Sequence, residues 1–244
     1  MSILIFLIIL SALVIVHELG HLLAAKYFGI RVDEFGLGYP PRAKKMFSWR
    51  GTDFTLNWLP FGGFVKIFGE NMAESNNLEV ELPSNSFQAK SRGIQAWVLF
   101  AGVFFNFLFA WMLLAIVHHS LSQGLFTAFN FTFETVRALF HVTLSNVIGP
   151  VGIVGIVGEV SKLGFSYVLT FTALISINLC LINLLPFPAL DGGRLLFVGI
   201  ETLTRRPIPP RIFNALNSAG FALLILLMIL ITTRDIRNLF KSLT

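Results

Sequence analysis

The chain has 244 residues, of which 55% are hydrophobic and only 13% are charged, and its mean hydropathy is +0.77. Soluble domains carry about 25% charged residues, so this composition excludes an ordinary globular protein and indicates a polytopic membrane protein. The net charge of +5 comes mostly from stretches between apolar segments, where it indicates membrane topology and contact with anionic lipid rather than nucleic-acid binding.

Four apolar segments approach the length of about 20 residues that a helix needs to cross a bilayer. The predicted spans are residues 3–25, 96–117, 165–185 and 212–231. The last is continuously apolar only from about residue 219, which is short for a full crossing. The sequence therefore predicts an all-α polytopic membrane protein with about four transmembrane helices, organised as a single membrane-embedded domain over residues 1–244.

Lysine and arginine are divided unequally between the connections, and the side richer in them faces the cytoplasm. Nine occur from Lys26 to Arg92 and four from Arg194 to Arg211, against two between residues 118 and 166 and three in the tail from Arg234. With four crossings, the first and third connections share one side of the membrane. We therefore expect these connections to be cytoplasmic and both termini to be non-cytoplasmic.

The first span contains the run His17-Glu18-Leu19-Gly20-His21. On a helix, positions i and i+4 lie on one face, so the two imidazoles face the same way, with a carboxylate between them in the sequence. This arrangement suits two ligands of a zinc ion and a general base. Ionisable groups at membrane depth are costly and are functional by default, and a bound metal gives these three a reason to be there.

The first connection shows a β pattern over residues 45–67. Apolar residues alternate on both sides of Arg50-Gly51-Thr52-Asp53, as in a hairpin beside the membrane. The stretch Phe64-Val65-Lys66-Ile67 can form a further strand. Two interpretations stay open for it: a packed surface hairpin, or an unpaired edge on which Phe64, Val65 and Lys66 bind an extended substrate. Residues 71–92 are polar and, together with Glu70, are interpreted as a solvated linker.

The third span ends in Asn183-Leu184-Leu185-Pro186-Phe187-Pro188-Ala189-Leu190-Asp191-Gly192-Gly193. The prolines break the helix, and backbone broken at membrane depth is tolerated only inside protein or beside a water-filled cavity. Catalytic zinc usually has three protein ligands, so Asp191 is the best candidate for the third, although an isolated aspartate here would be interpreted as a helix cap. Asn183 either holds the substrate backbone or makes a capping or interhelical hydrogen bond.

Three features concern the remaining helices. Asn106 lies inside an apolar segment, where an interhelical hydrogen bond is favoured over a functional role. Residues 124–144 are aromatic-rich and predict an amphipathic or re-entrant helix. Residues 147–158, with the sequence VIGPVGIVGIVG, contain glycines at a spacing that argues against an uninterrupted helix.

Together these motifs resemble the site-2 protease family of intramembrane zinc metalloproteases. H-E-x-x-H is present at His17 to His21, and N-x-x-P-x-x-x-L-D-G at Asn183 to Gly192, in the order of that family. The branch containing the bacterial regulator of sigma-E protease is further resembled by G-x-x-x-N at 102–106, by G-P-x-G-I at 149–153 and by the hairpin ending at 60–66. The resemblance covers nearly the whole chain.

The resemblance implies a zinc ion bound by His17, His21 and Asp191, with Glu18 as the catalytic base. It also implies cleavage of single-pass membrane proteins within their transmembrane segments, in a bacterial inner membrane. Anti-sigma factors and signal-peptide remnants are the substrates that it suggests. The branch usually carries PDZ domains, which screen substrates by size, between the second and third core helices. No segment of that length is available here, so a requirement for a prior cut in the substrate does not follow.

Two alternatives stay open beside a protease. A catalytically inactive scaffold that binds membrane helices predicts the loss of a ligand or of the base, and all four residues are present. A metal carrier predicts an inverted repeat with paired broken helices, and the sequence shows no such repeat. The expected partners are the lipid bilayer and single-pass membrane proteins, with no nucleic acid, and the oligomeric state is left open.

Overall fold

The computed structural model describes residues 1–70, 83–141 and 147–243, which form seven helices and two long strands. The helices are α1 (Ser2–Tyr27), α2 (Arg92–His118), α3 (Leu121–Leu139), α4 (Pro150–Leu163), α5 (Phe165–Leu184), α6 (Asp191–Thr204) and α7 (Pro210–Leu243), and the strands are β1 (Val32–Trp49) and β2 (Thr52–Ile67). Helices α1, α2, α5 and α7 are long and apolar enough to cross a membrane. The prediction of a mostly helical polytopic membrane protein with four spans is confirmed.

The fourth span is longer than its apolar core indicates. Helix α7 has 34 residues, begins before residue 212 and continues well past residue 231. The expectation of a segment short for a full crossing was wrong, because the polar residues after Ile231 continue the helix. Helix α3 agrees with the amphipathic helix expected over 124–144, of which residues 142–144 lie outside the described part of the chain.

The β element is also larger than residues 45–67, because β1 begins at Val32. The predicted turn is present at Arg50 and Gly51, whose φ values are 46° and 75°. Residues 34–37 of β1 have two series of partners in β2, one running from Asp53 to Leu56 and the other from Lys66 to Gly63. The stretch 63–67 therefore lies at an edge of the sheet, and we call it the edge segment. Residues 71–82 of the predicted linker lie outside the described residues.

Helices α1 and α2 cross in direct backbone contact. A Cβ atom at Gly20 would lie 2.5 Å from the carbonyl oxygen of Ala101, so only glycine permits this approach, as is common where membrane helices cross. Apolar side chains from the C-terminal end of α1 and the N-terminal end of α2 pack with the sheet in one core: Leu22, Ala25, Val98, Leu99, Ile30, Val32, Phe35 and Ile67. The sheet is thereby fixed against α1.

Helix α5 packs on the opposite part of α2. Ala173 and Ile177 of α5 contact Ala110 and Leu114 of α2, with Ala128 of α3 in the same cluster. Helix α4 covers α1, where Val157 packs with Ile9 and Leu13. The α1–α2–α5 contacts form the frame on which the candidate site is built.

The glycine-spaced run 147–158 is helical from Pro150 onward, so the prediction of an interrupted helix was wrong. Proline suits the first position of a helix because its missing N–H would have no partner there. Glycine disfavours a helix in water, but away from water the backbone must satisfy its own hydrogen bonds. Gly158 also packs against Ser2, whose Oγ would lie 2.8 Å from an added Cβ.

The N-terminus of α4 is held by a side chain of α7. The carboxylate of Asp235 accepts the N–H groups of Gly149 at 2.9 Å and Gly152 at 3.1 Å, and its side chain is only 8% exposed. Gly149 has no side chain to cap α4, so Asp235 supplies both the acceptor and the negative charge that a helix N-terminus favours. Arg234 bonds the Val147 carbonyl beside it.

We expect Asp235→Ala to lower the free energy of unfolding by about 1.5–3 kcal/mol, since hydrogen bonds to charged groups contribute that much. Asp235→Asn keeps one acceptor oxygen and should lose less. The measurement is unfolding of the detergent-solubilised protein by titration with SDS. The matched control is Glu159→Ala, whose exposed pairing with Lys162 should contribute little; equal stability of the alanine variants at 235 and 159 would contradict the anchoring role.

Candidate metal centre and cavity

The three residues predicted as metal ligands converge on one point. His17 Nε2 lies 2.9 Å from Asp191 Oδ2, His21 Nε2 lies 3.3 Å from the same oxygen, and the two Nε2 atoms are 3.2 Å apart. Both imidazoles are buried, and the aspartate side chain is 16% exposed. We call these three residues the ligand cluster.

The spacing of the ligand cluster fits a zinc ion. Tetrahedral ligands bound at about 2.0–2.2 Å lie roughly 3.3–3.5 Å from one another, and two of the three separations are within about 0.1 Å of this range. Asp191 Oδ2 is buried and has no hydrogen-bond partner, as expected of an oxygen that serves a cation. Within the described ranges, this is the only group of three His, Cys, Asp or Glu residues arranged to hold a metal.

Helix α2 contacts both imidazoles and sets their orientation. His21 Nδ1 lies 2.8 Å from the carbonyl oxygen of Val98, so it donates its proton there and leaves Nε2 free for the metal. His17 Nδ1 lies 3.2 Å from Asn106 Nδ2. Between these two contacts, a Cβ at Gly102 would collide with His21 Nε2 and lie 2.8 Å from His17 Cε1. Only glycine leaves room for both rings.

Asp191, the third candidate ligand, follows a break between two helices, which the two prolines predict. Helix α5 ends at Leu184 and α6 begins at Asp191. A side chain at Gly192 would collide with the carbonyl group of Leu185, and one at Gly193 with that of Phe187. The glycine pair therefore lets α6 begin in contact with the segment 185–190. This places the carboxylate of Asp191 at a helix N-terminus, which is favourable for a negative charge.

Helix α7 supports this break from the other side. The N–H of Ala189, whose φ is 74°, donates to Asn217 Oδ1 at 3.1 Å. A Cβ at Gly220 would lie 2.6 Å from the carbonyl oxygen of Pro188, so the two backbones are in contact. The irregular segment is therefore held between α6 and α7.

Glu18 joins the helix to the sheet. Its Oε2 accepts the N–H of Val65 at 3.1 Å, so the edge segment lies beside the C-terminal half of α1. A strand residue directs its N–H and C=O to the same side, and the carbonyl of Val65 therefore also faces away from the sheet. An open strand edge at this depth needs a polar partner, because hydrocarbon supplies none.

A cavity of about 280 Å³ lies between the ligand cluster and the edge segment. Its walls include Glu18, Phe64 and Val65 together with Tyr39, Glu70 and Arg194. The pKa of the Tyr39 phenol is raised by partial burial and by the charge of Glu18, so this side chain stays protonated and able to donate at neutral pH. The cavity thus brings together a candidate metal centre, a carboxylate and the edge of the sheet at Phe64 and Val65.

Two predicted substrate-binding residues do not line this cavity. Asn183 lies half-buried in the last turn of α5, and Lys66 is exposed on β2. In their place the cavity contains an ion pair between Arg194 and Glu70. The interpretation of Glu70 as solvated was wrong, since its side chain is only 16% exposed. Arg194 follows Asp191 by one helical turn, a spacing that in hindsight indicates a place beside the site.

Comparison with known proteins matches residues 5–227 to peptidase family M50. A Clostridium perfringens protein with the provisional name of zinc metalloprotease is 29% identical over 341 residues, which cover 97% of this chain and 98% of that protein. That alignment is longer than this chain, so the relative contains a stretch with no counterpart here. The zinc metalloprotease RasP of Oceanobacillus iheyensis is 52% identical over 99 residues, covering 41% of this chain and 23% of that protein. RasP of Geobacillus kaustophilus is 40% identical over 126 residues, covering 50% and 30%.

We expect Gly102→Ala to lower zinc affinity at least tenfold, on the order of the loss seen when groups supporting metal ligands are removed, because the added methyl displaces both imidazole rings. The measurement is metal content after dialysis against a competing chelator. Gly93→Ala is the control in the same helix, since its Cβ would meet nothing within 4 Å. Full zinc retention in Gly102→Ala would show that the rings tolerate displacement.

Proposed function

Because this chain belongs to peptidase family M50, it is a membrane-embedded zinc metalloendopeptidase of the site-2 protease type, and we propose that it cleaves single-pass membrane proteins inside their transmembrane segments. One observation carries this proposal. The carboxylate of Glu18, in the C-terminal half of a helix long enough to span the membrane, bonds the Val65 N–H at the edge of the sheet and shares a cavity with three converging candidate ligand atoms. A peptidase with its chemistry at this depth suits a substrate that is itself in the membrane.

We assign the zinc ligands to His17 Nε2, His21 Nε2 and Asp191 Oδ2. A zinc ion held there supplies Lewis acidity, which lowers the pKa of a water molecule to about 7 and polarises the scissile carbonyl. Glu18 is the general base: it takes a proton as the water oxygen bonds to the carbonyl carbon. It then gives that proton to the amide nitrogen as the carbon–nitrogen bond breaks. Hydrolysis is complete with one new carboxyl and one new amino terminus.

The substrate must present an extended peptide to this site, because a helix hides its scissile bonds in its own hydrogen-bonding ladder. Glu18 Oε2 occupies the position at the Val65 N–H that the carbonyl oxygen of an added strand would take. Neighbouring strands lie about 4.8 Å apart, so a peptide paired with the edge segment would run past the ligand cluster. In this proposal Phe64 and Val65 contact the substrate in the cavity, Lys66 contacts it further along the edge, and Asn183 contacts it beside the helix break.

We also propose the membrane in which the protein lies and the proteins that it cleaves. The four spans and the lysine and arginine counts support a multi-pass protein of a bacterial inner membrane, with the first and third connections in the cytoplasm and both termini outside it. Anti-sigma factors or signal-peptide remnants are the proposed single-pass substrates.

The first test uses purified protein in detergent or liposomes with a tagged single-pass substrate. We expect Glu18→Gln to lower the cleavage rate by at least about 10³-fold, within or above the range attributed to general acid–base catalysis, while zinc remains bound. Chelation should abolish cleavage in the wild type, and added zinc should restore it.

Measured zinc content separates the outcomes of this test. Cleavage by Glu18→Gln at the wild-type rate would reject Glu18 as the base. Stoichiometric zinc in the wild type without cleavage of any of several single-pass substrates would count against the proposed substrate class.

Strand addition has a distinct geometric signature that disulfide cross-linking can detect. A Val65→Cys variant is combined with Glu18→Gln, to trap the substrate, and with Cys180→Ala, to remove the native thiol. Single cysteines are then placed along the substrate segment. Pairing as a strand should give cross-links at every second substrate position, because side chains alternate with period two.

A substrate that docks as a helix would instead give cross-links with a period of three to four residues. That pattern, or cross-linking equal to that of a control cysteine at Lys162 on α4, would reject strand addition at Val65. It would leave the assignment of Glu18 and the ligand cluster intact.

A further inference from the structure

Asn106 is fully buried in the middle of α2, with 0% of its surface exposed. Its amide nitrogen lies 3.2 Å from His17 Nδ1, and its amide oxygen is buried without a hydrogen-bond partner in the part of the chain that the structure describes. An unpaired buried polar atom costs about 1–3 kcal/mol. The interhelical hydrogen bond favoured from the sequence is therefore present, but its partner is the imidazole of a candidate metal ligand, and it leaves an unsatisfied atom that requires an explanation.

The direction of this hydrogen bond follows from the role of His17. For Nε2 to offer its lone pair to a metal, the ring proton must be on Nδ1. A protonated Nδ1 is a donor, and the atom facing it must then be an acceptor. The oxygen and nitrogen of an amide have nearly the same shape. A half-turn of the Asn106 amide places Oδ1 against Nδ1 and converts the contact into an N–H···O hydrogen bond.

His21 already has this arrangement, because its Nδ1 donates to the carbonyl oxygen of Val98, also on α2. We propose that Asn106 is the corresponding positioning residue of His17: its Oδ1 accepts the Nδ1 proton, and so fixes both the ring orientation and the tautomer that binds zinc. Asn106 does not itself contact the metal. Helix α2 then supplies one acceptor to each histidine ligand.

The position of the amide is itself fixed by helix packing. Ser176 of α5 donates its hydroxyl to the backbone carbonyl of Asn106 at 2.8 Å. Gly102, one turn earlier on α2, lies directly beneath both imidazoles. The α2–α5 contact and the glycine together bring the amide of Asn106 within hydrogen-bonding distance of His17.

This inference rests on the zinc site of the proposed function and not on the choice of substrate. Its test is therefore zinc affinity, measured on the purified full chain in detergent by competition with a chromophoric chelator. Asn106→Leu keeps the volume and removes the acceptor, and we expect zinc to bind 10- to 100-fold more weakly. Asn106→Asp keeps an acceptor oxygen in the same place, and we expect affinity within about threefold of the wild type or tighter.

Thr172→Ala is the matched control, because it removes a buried hydroxyl of α5 that bonds the carbonyl of Val168 in its own helix and that the argument for Asn106 does not use. Its zinc affinity should stay within about threefold of the wild type, as a merely structural contact predicts. If Asn106→Leu does not fold, Asn106→Ala replaces it, with folding verified by unfolding of the metal-free protein. Wild-type affinity in the variant lacking the acceptor, or equal loss in Asn106→Asp, would overturn the proposal.

Discussion

Polar groups at membrane depth must find their partners inside the protein, and the site depends on this constraint. The first span carries two histidines and a glutamate in its C-terminal half, and each has a hydrogen-bond partner on a different neighbour. His21 is bonded by the backbone of α2, His17 by a side chain of α2, and Glu18 by the edge segment. Asp191 from the break after α5 completes the ligand cluster. One helix with three polar residues thus determines where three other elements must lie.

The elements can approach so closely because glycines stand at the points of contact. Gly20 and Gly102 let the backbones of α1 and α2 meet, and Gly102 also leaves room for the imidazoles. Gly192 and Gly193 let α6 begin against the carbonyl groups of the preceding segment, and Gly220 lets α7 lie against Pro188. Each glycine serves the position of a metal ligand or of the broken backbone that presents one. The geometry of the ligand cluster is therefore set by backbone packing as much as by its own side chains.

The features that were predictable from the sequence depend on short-range chemistry. The i, i+4 spacing of the histidines, the proline break before Asp191 and the lengths of the apolar segments are local properties. The failures depend on long-range contacts. The strand from Val32 was missed because glycines and prolines interrupt its pattern, yet Gly36 is required where the ring of Phe64 crosses it. The helix at 150–163 was missed because packing on α1, and not glycine content, decides it. Likewise, no local signal links Asn106 with His17, 89 residues away.

Backbone hydrogen bonding relates the edge segment to the proposed transmembrane substrate. An unwound helix exposes N–H and C=O groups that hydrocarbon cannot satisfy, at several kcal/mol for each group. The edge segment lies beside the C-terminal half of α1, where the Glu18 carboxylate accepts the N–H of Val65. In the proposed mode of binding, the unwound peptide would pair with the edge segment, so the cost of unwinding would be offset where the peptide passes the ligand cluster. In this proposal, each fragment would make fewer hydrogen bonds with the edge segment than the intact peptide does. The fragments would therefore bind more weakly and be released.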